Sequence, residues 1–287
     1  MEFAKLLEQH VARNADTFVV DEISSTNTEL LRRCKLGMLA RPTILLTHHQ
    51  SGGKGTRGRS WVQTANRDLA MTLGLAQEGE CLSDPRLSLA VGAILAGALE
   101  RELAGQLKPG ENAGKPAIAV KWPNDLLAWT TLPGEEGHWR KLGGILIETC
   151  DGPQNQRWLF VGAGININSR LADFPAQLRH RLTTLHELLG RELDRAHLTA
   201  ALAGALAREM TELANPDCDG SSRLNALIEQ WMKRHRTAGT RYRLTRAGQQ
   251  VQVEAIDVNP VTGELICVDE MGKTYGVSSY SELDAFE

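Results

Sequence analysis

Trp158-Leu159-Phe160-Val161-Gly162-Ala163-Gly164-Ile165-Asn166-Ile167-Asn168 is the stretch on which the fold turns. An apolar run leads into glycines at alternate positions, and the two asparagines that follow fall on one face of an extended chain. The pattern predicts a strand whose glycines leave room for a flat ligand. It is not a dinucleotide-binding fingerprint, because Ile167 stands where the third glycine is required and no helix start follows.

Working outward, Phe18 to Asp21, Ile44 to Thr47, Leu69 to Leu75, Ala117 to Trp122 and Leu142 to Glu148 also read as strands. Ser24-Ser25-Thr26-Asn27 offers short side chains able to cap a helix running to about Cys34. Leu87 to Leu103, Leu198 to Leu213 and Leu224 to Lys233 show helical spacing without proline. An α+β domain with a mixed sheet is predicted over residues 1–237. From Thr240 the texture changes: Tyr242, Leu244, Val251, Val253 and Ala255 alternate with polar residues, which predicts a small β-barrel over residues 238–287. Gly105 to Lys115 and Thr130 to His138 are polar, breaker-rich and read as surface insertions.

Composition bounds the function. A chain of 287 residues, 42% hydrophobic and 23% charged, can bury one substantial core and a smaller second unit. Lys and Arg number 32 against 35 Asp and Glu, a net charge of -3, so there is no broad positive field for nucleic acid. Roughly 20 residues precede the first strand, too few for a three-helix DNA reader. Cys34, Cys81, Cys150, Cys218 and Cys267 are widely spaced and odd in number, which suits a reducing compartment. No apolar signal core opens the chain, and no stretch approaches the roughly 18 apolar residues of a membrane span. A cytoplasmic protein is expected, without DNA or membrane as partner.

Three further segments carry possible chemistry. Gln50-Ser51-Gly52-Gly53-Lys54-Gly55-Thr56-Arg57-Gly58-Arg59-Ser60-Trp61 mixes glycines with cations, so its backbone amides and charges could hold an anion. A flexible, solvated loop accounts for that composition equally well. It is not a phosphate loop of the Walker type, and Gly272-Lys273-Thr274 lacks the required earlier glycine. Lys121-Trp122-Pro123-Asn124-Asp125 puts a cation, a ring, an amide and a carboxylate at a strand end, although Pro-Asn-Asp alone is an ordinary turn. Arg140-Lys141-Leu142-Gly143-Gly144-Ile145-Leu146-Ile147-Glu148 starts an apolar strand with a lysine, which in isolation would be a solvated side chain.

In this order the segments resemble the bacterial biotin-protein ligases, whose pattern runs S-T-N, G-R-G-R-x-G-R-x-W, K-W-P-N-D, K-L-x-G-I-L and G-x-G-I-N. The matches span Ser25 to Asn166. The resemblance implies a catalytic domain of the biotin/lipoate ligase type with a C-terminal SH3-like β-barrel and no N-terminal DNA-binding domain. It implies that the protein joins biotin to AMP at the expense of ATP and Mg2+, then passes the biotinyl group to a lysine of a biotin carboxyl carrier protein. A monomer or weak homodimer is implied as well.

By the same resemblance, Ser25, Thr26, Asn27 and Gln50 contact biotin, and Gly53, Lys54, Gly55 and Thr56 cover its tail and carboxylate. Gly144 and Gly162 line the ring pocket. Lys141 bonds the carboxylate and bridging oxygen, with Arg59 and Asp125 as further catalytic residues. Arg57, Arg59, Lys121 and Asn124 face the nucleotide phosphates, Trp61 borders the adenine and Asn166 bonds to it. Asp125 is either a magnesium ligand or the group that deprotonates the acceptor lysine. Bringing a carboxylate onto a phosphate sets two anions against each other, which gives these cations an electrostatic task. A glycine-rich loop that orders over the adenylate would also shield it from water.

The chain departs from the pattern at Lys54 and Thr56, where the family has arginine. Lysine keeps the charge without the bidentate fork and threonine keeps neither, which predicts weaker retention of the adenylate. Two other functions remain: a lipoate or octanoate ligase or transferase of the same fold, and an inactive biotin-binding module.

Overall fold

The computed structural model describes residues 2–11, 13–106, 117–131 and 136–285. Most of the insertion from Gly105 to Lys115, and the middle of that from Thr130 to His138, lie outside the described residues. The chain begins with α1 (Glu2–Val11), followed by β1 (Asp16–Ile23), α2 (Thr26–Lys35) and β2 (Thr43–Gln50). β1 and β2 pair in parallel, with Phe18 opposite Leu45, and α2 is the crossover that such a pair requires. Parallel strands end side by side. The residues just past β1 therefore arrive next to Gln50 at the end of β2.

β3 (Leu69–Ala76), α3 (Leu87–Gln106), β4 (Ile118–Lys121), β5 (Asp125–Thr130), β6 (His138–Asp151) and β7 (Arg157–Ile165) complete the large unit's strands. Its seven-stranded mixed sheet has the order β1-β2-β3-β7-β6-β5-β4, and the ladders from β2 onward are antiparallel. β5 is hidden in the sequence by Pro123-Asn124-Asp125, because the turn is already over when Asp125 pairs with Gly144. Two short helices, α4 (Ala176–Arg179) and α5 (Leu185–Leu189), precede α6 (Arg195–Ala214) and α7 (Gly220–Arg234).

The two faces of the sheet differ. On one side lies a continuous core in which Ile44, Leu46, Leu73, Val161 and Ile145 meet the helices α1, α3, α6 and α7. α3 is apolar around its whole circumference: Leu89, Ala90, Val91, Ala93, Leu95 and Ala96 are all buried. On the other side α2 lies over a smaller cluster of Leu30, Cys34, Leu45, Trp158 and Phe160. Successive residues on this face of β7 are Trp158, Phe160, Gly162 and Gly164, so two bulky side chains are followed by none. The sheet is bare just beyond the N-terminus of α2.

β8 (Arg241–Arg246), β9 (Gln249–Val258), β10 (Leu265–Asp269), β11 (Thr274–Val277) and β12 (Leu283–Ala285) form a five-stranded antiparallel sheet ordered β11-β10-β9-β8-β12. Ala247 and Gly248, at φ 51° and 78°, make the two-residue turn between β8 and β9. The inward residues Tyr242, Leu244, Val253, Ala255 and Cys267 are buried and continuous with the main core. Trp122 reaches this sheet directly, its indole N–H donating to the Gly263 carbonyl at 2.9 Å. Among the described residues no helix is long and apolar enough to cross a membrane.

Candidate active site

Ser25 caps α2, its hydroxyl accepting from the Thr28 amide at 3.5 Å, which leaves the first turn of the helix aimed at the bare part of the sheet. The Gln50 carbonyl oxygen Oε1 accepts from the Thr26 amide at 2.8 Å and lies 3.1 Å from the Thr26 hydroxyl. Thr72 of β3, fully buried, puts its hydroxyl 2.8 Å from the Thr26 hydroxyl and 2.5 Å from Asn27 Oδ1. The Asn27 amide nitrogen donates to Glu148 Oε2 at 2.8 Å, which fixes which way the amide faces. These groups frame a polar slot lined by Ser25, Thr26, Asn27, Gln50, Lys54, Gly55, Thr56, Trp61, Met71, Asn124, Lys141, Gly144 and Gly162. Gly162 has to be glycine here, since a Cβ would run into the Asn27 amide.

The strap from Gly53 to Trp61 is a small hairpin. Lys54 bridges to Ser60, the Gly55 amide donates to the Arg59 carbonyl at 2.7 Å, and the Trp61 amide donates to the Gly53 carbonyl at 2.9 Å. Its far end lays the Trp61 ring on β7, where a Cβ on Gly164 would stand 2.5 Å from the ring. Trp61 consequently forms a wall between the slot and a second cavity. That cavity is lined by Gly55, Thr56, Arg59, Trp61, Lys141, Asn166, Phe174, Leu178, Arg181 and Leu182.

The second cavity exists because Lys141 uses its backbone for a partner outside the sheet. Its amide donates to the Arg181 carbonyl at 2.9 Å and its carbonyl accepts from Thr183 at 2.8 Å, which pulls residues 181–183 against β6. The β5–β6 register slips at this point, between Leu126 and Leu127. Asn166 closes the floor: its amide nitrogen donates to the Thr183 carbonyl at 3.0 Å, while Oδ1 is buried with no hydrogen-bond partner. The Trp61 indole N–H is buried and equally unpartnered. A buried acceptor and a buried donor left open at one cavity favour a ligand that carries both functions.

Lys141 lines both cavities. Its Nζ lies 2.6 Å from Asp125 Oδ1, so the lysine is held by a carboxylate in this structure. Lys121 stands behind the pair. Burial pushes its ammonium below the usual lysine range, with Asp125 opposing the shift and Lys141 adding to it. Among the described residues no group of three or more His, Cys, Asp or Glu side chains converges as a metal site.

The structure gathers most of the residues singled out in the sequence, but not all at the cavity walls. Ser25, Thr26, Asn27, Gln50, Lys54, Gly55, Thr56, Trp61, Asn124, Lys141, Gly144 and Gly162 line the slot, and Arg59 and Asn166 line the second cavity. Gly53 is buried at the base of the strap, and Asp125 and Lys121 reach the cavities through Lys141. Arg57 faces elsewhere: its guanidinium lies 4.4 Å from the centre of the Tyr280 ring and 3.6 Å from Asp284. It ties the strap to the C-terminal sheet. Asn168, which shares a strand face with Asn166 in the sequence, is instead spent on the Leu193 backbone, with both bonds at 2.9 Å. Thr72 and Glu148 escape sequence reasoning, hidden in apolar runs with no local signal. So do Phe174, Leu178 and Leu182, which come from the short helix α4 and the irregular chain on either side of it.

A model of the Biotin/lipoate A/B protein ligase family matches residues 19–166, which run from β1 to the asparagine on the floor of the second cavity. The chain is 28% identical over 265 residues to the biotin--[acetyl-CoA-carboxylase] ligase of Mycobacterium tuberculosis, covering 91% of this chain and 86% of that one. It is 30% identical over 184 residues to the bifunctional ligase/repressor BirA of Escherichia coli, covering 64% of this chain and half of the relative. Among solved structures, the biotin protein ligase from Aquifex aeolicus in complex with biotin and ATP superposes with a TM-score of 0.68 at 20% identity, covering 95% of this chain and 99% of the other. That likeness is one of fold.

Proposed function

Because this chain belongs to the Biotin/lipoate A/B protein ligase family, we propose that it is an ATP-dependent ligase that makes biotinyl-5'-AMP and transfers the biotinyl group to a lysine of a biotin carboxyl carrier protein. Relatives named as biotin--[acetyl-CoA-carboxylase] ligases support the substrate and the acceptor. The observation that carries the mechanism is the position of Lys141 on both cavities. One ammonium there serves an acid-bearing ligand in the slot and a nucleotide beyond the Trp61 wall.

The slot suits a cyclic urea. It offers the hydroxyls of Ser25 and Thr26 and the amides of Asn27 and Gln50, with Thr72 behind them holding Thr26 and Asn27, a density of polar groups that a dithiolane ring would leave without a ligand partner. The adenine lies against Trp61, and its amino group donates to the open Oδ1 of Asn166. The biotin carboxylate then attacks the α-phosphorus, and pyrophosphate leaves. Lys141, with Lys54 and Arg59 from the strap, offsets the charge that accumulates between them. In the second step the acceptor amine attacks the acyl carbon and AMP leaves.

As the two anions enter, Lys141 turns to them and Asp125 is released from its ion pair. A magnesium ion delivered with the triphosphate would be held by Asp125, the carboxylate that Lys141 frees on turning to the anions, and would supply further offset of phosphate charge. Asp125 would otherwise be free to take the proton of the acceptor lysine. The separate five-stranded antiparallel sheet of β8 to β12 supports a division into a catalytic unit of residues 1–237 and a C-terminal SH3-like barrel of residues 238–287. A cytoplasmic setting is supported by cysteines that are all free, including Cys34 and Cys150 with their sulfurs 3.5 Å apart.

The test is ATP-dependent transfer of labelled biotin to a carrier domain, with pyrophosphate release measured alongside. The wild-type chain should release pyrophosphate only with both biotin and ATP, and Lys141→Ala should slow release by about 10²–10³-fold. Use of lipoate in preference to biotin would end the proposal.

A further inference from the structure

Asp68 is a carboxylate with no solvent exposure that the proposed mechanism does not use. It sits one residue before β3, just past the last ladder pair, Leu69 opposite Ile165. From there its two oxygens collect four donors. Oδ1 accepts from the amides of Ile167 at 2.8 Å and Ser169 at 3.3 Å. Oδ2 accepts from the Ser169 hydroxyl at 2.5 Å and the Thr64 amide at 3.3 Å. Burial raises the carboxyl pKa, and these bonds act against the rise.

The donors belong to two segments. Ile167 and Ser169 continue the chain from Asn166, while Thr64 is three residues from Trp61. Asn166 and Trp61, both on the wall of the second cavity, are the residues with open, buried polar atoms there. Asp68 bonds to the side chain of neither, yet it holds the backbone one residue past Asn166 and three residues past Trp61. The Arg195 guanidinium donates to the Asp68 backbone carbonyl, at 3.3 Å, and not to its carboxylate. A carboxylate placed only to fill the core would gain nothing over leucine, because burying an ion is costly unless its acceptors are used.

We infer that Asp68 is the positioning residue of the nucleotide cavity, holding the Trp61 wall and the Asn166 floor at a fixed separation so that ATP is bound at full affinity. The inference rests on the proposed use of this cavity for ATP. Trp61 borders the slot as well, but the polar groups at the slot's other end have their own supports in Thr72, Glu148 and Gln50, so loss of the Asp68 carboxylate should weaken the nucleotide more than biotin.

Asp68→Asn tests it. The amide keeps one acceptor oxygen and turns an NH2 group toward the remaining donors; the Ser169 hydroxyl can adapt by accepting, whereas the Thr64 amide cannot. We expect the KM for ATP to rise by about tenfold or more, with the KM for biotin held within about twofold and little change in kcat. Ser169→Ala, which removes a single donor, should shift the same constant in the same direction by less. Amide hydrogen exchange reads the positioning without any turnover: Thr64 should exchange faster in folded Asp68→Asn, and the first turn of α2 should be unaffected. Equal losses of ATP and biotin affinity, or unchanged exchange at Thr64, would overturn the inference. Should the wild-type chain show no reaction dependent on biotin and ATP, the proposed function falls, and the exchange measurement still decides whether Asp68 fixes these segments.

Discussion

Gly164→Ala is the sharpest test of the wall between the two cavities. The added Cβ would meet the Trp61 ring at 2.5 Å from Cε2, 2.7 Å from Cζ2 and 2.8 Å from Nε1. Ordinary carbon contacts lie at about 3.5–4.0 Å, so the indole has to retreat by about 1 Å. Gly164 is not among the residues with positive φ, so alanine adds no backbone strain and the effect is steric alone. Overpacking of this kind costs about 1–3 kcal/mol. Taken up wholly in ligand affinity, that is about 5–150-fold. The assay compares KM for ATP and for biotin in Gly164→Ala and Gly162→Ala. The second variant presses on the Asn27 amide in the slot instead. Gly164→Ala should weaken ATP, and Gly162→Ala should weaken biotin while sparing ATP. In a Trp61→Phe background, the smaller ring should reduce the loss caused by Gly164→Ala. Wild-type constants and thermal stability for Gly164→Ala, or weakening of ATP by Gly162→Ala as large as that of biotin, would refute the geometry.

Two other outcomes are expected. Thr56 lines both cavities from the strap, so Thr56→Arg should slow the release of biotinyl-adenylate, measured by trapping labelled adenylate in free solution. An unchanged release rate would show that the missing guanidinium has no part in retention. On α2, hydrogen bonding from Arg32, aided by Arg33, lowers the Glu29 carboxyl from 4.5 to about 2 despite partial burial. A depressed carboxylate stabilises the fold fully above its unfolded pKa, and the contribution is lost as pH falls from about 4.5 toward about 2. The stability gap between wild type and Glu29→Gln should be flat above that window and close within it. These are i,i+3 and i,i+4 pairs on a helix surface, so the gap should stay below about 1 kcal/mol.

Much of the large unit is legible in the sequence because its signals are local. Ser25 is a helix cap by its own chemistry, and the β7 glycines mark a strand that something must approach closely. The C-terminal sheet is visible in the alternation of Tyr242, Leu244, Val253 and Ala255. What escapes depends on contacts between distant parts of the chain. Thr72 sits in an apolar strand and matters only because residues 26 and 27 fold back onto it. Asp68 looks like a polar residue opening a strand until residues 167–169 arrive beside it. Arg57 misleads for the opposite reason: it lies in a run of cations of which Lys54 and Arg59 line cavities, but its own guanidinium packs on Tyr280, a ring that Arg59 also approaches at 5.8 Å. Phe3, Leu6, Leu7 and Val11 recur at helical spacing, so α1 carries a local signal too, and Leu7 and Val11 are buried where the helix meets α6.

The Lys141–Asp125 pair makes the two substrates speak to each other. In the proposed mechanism, whichever anion comes first parts the lysine from its carboxylate, and the second finds them already separated. Occupancy of either cavity should therefore tighten the other, and thermodynamic reciprocity requires the factor to be the same in both directions. Synergy of this sort needs no movement of the fold, only one cation with a resting partner and two claimants.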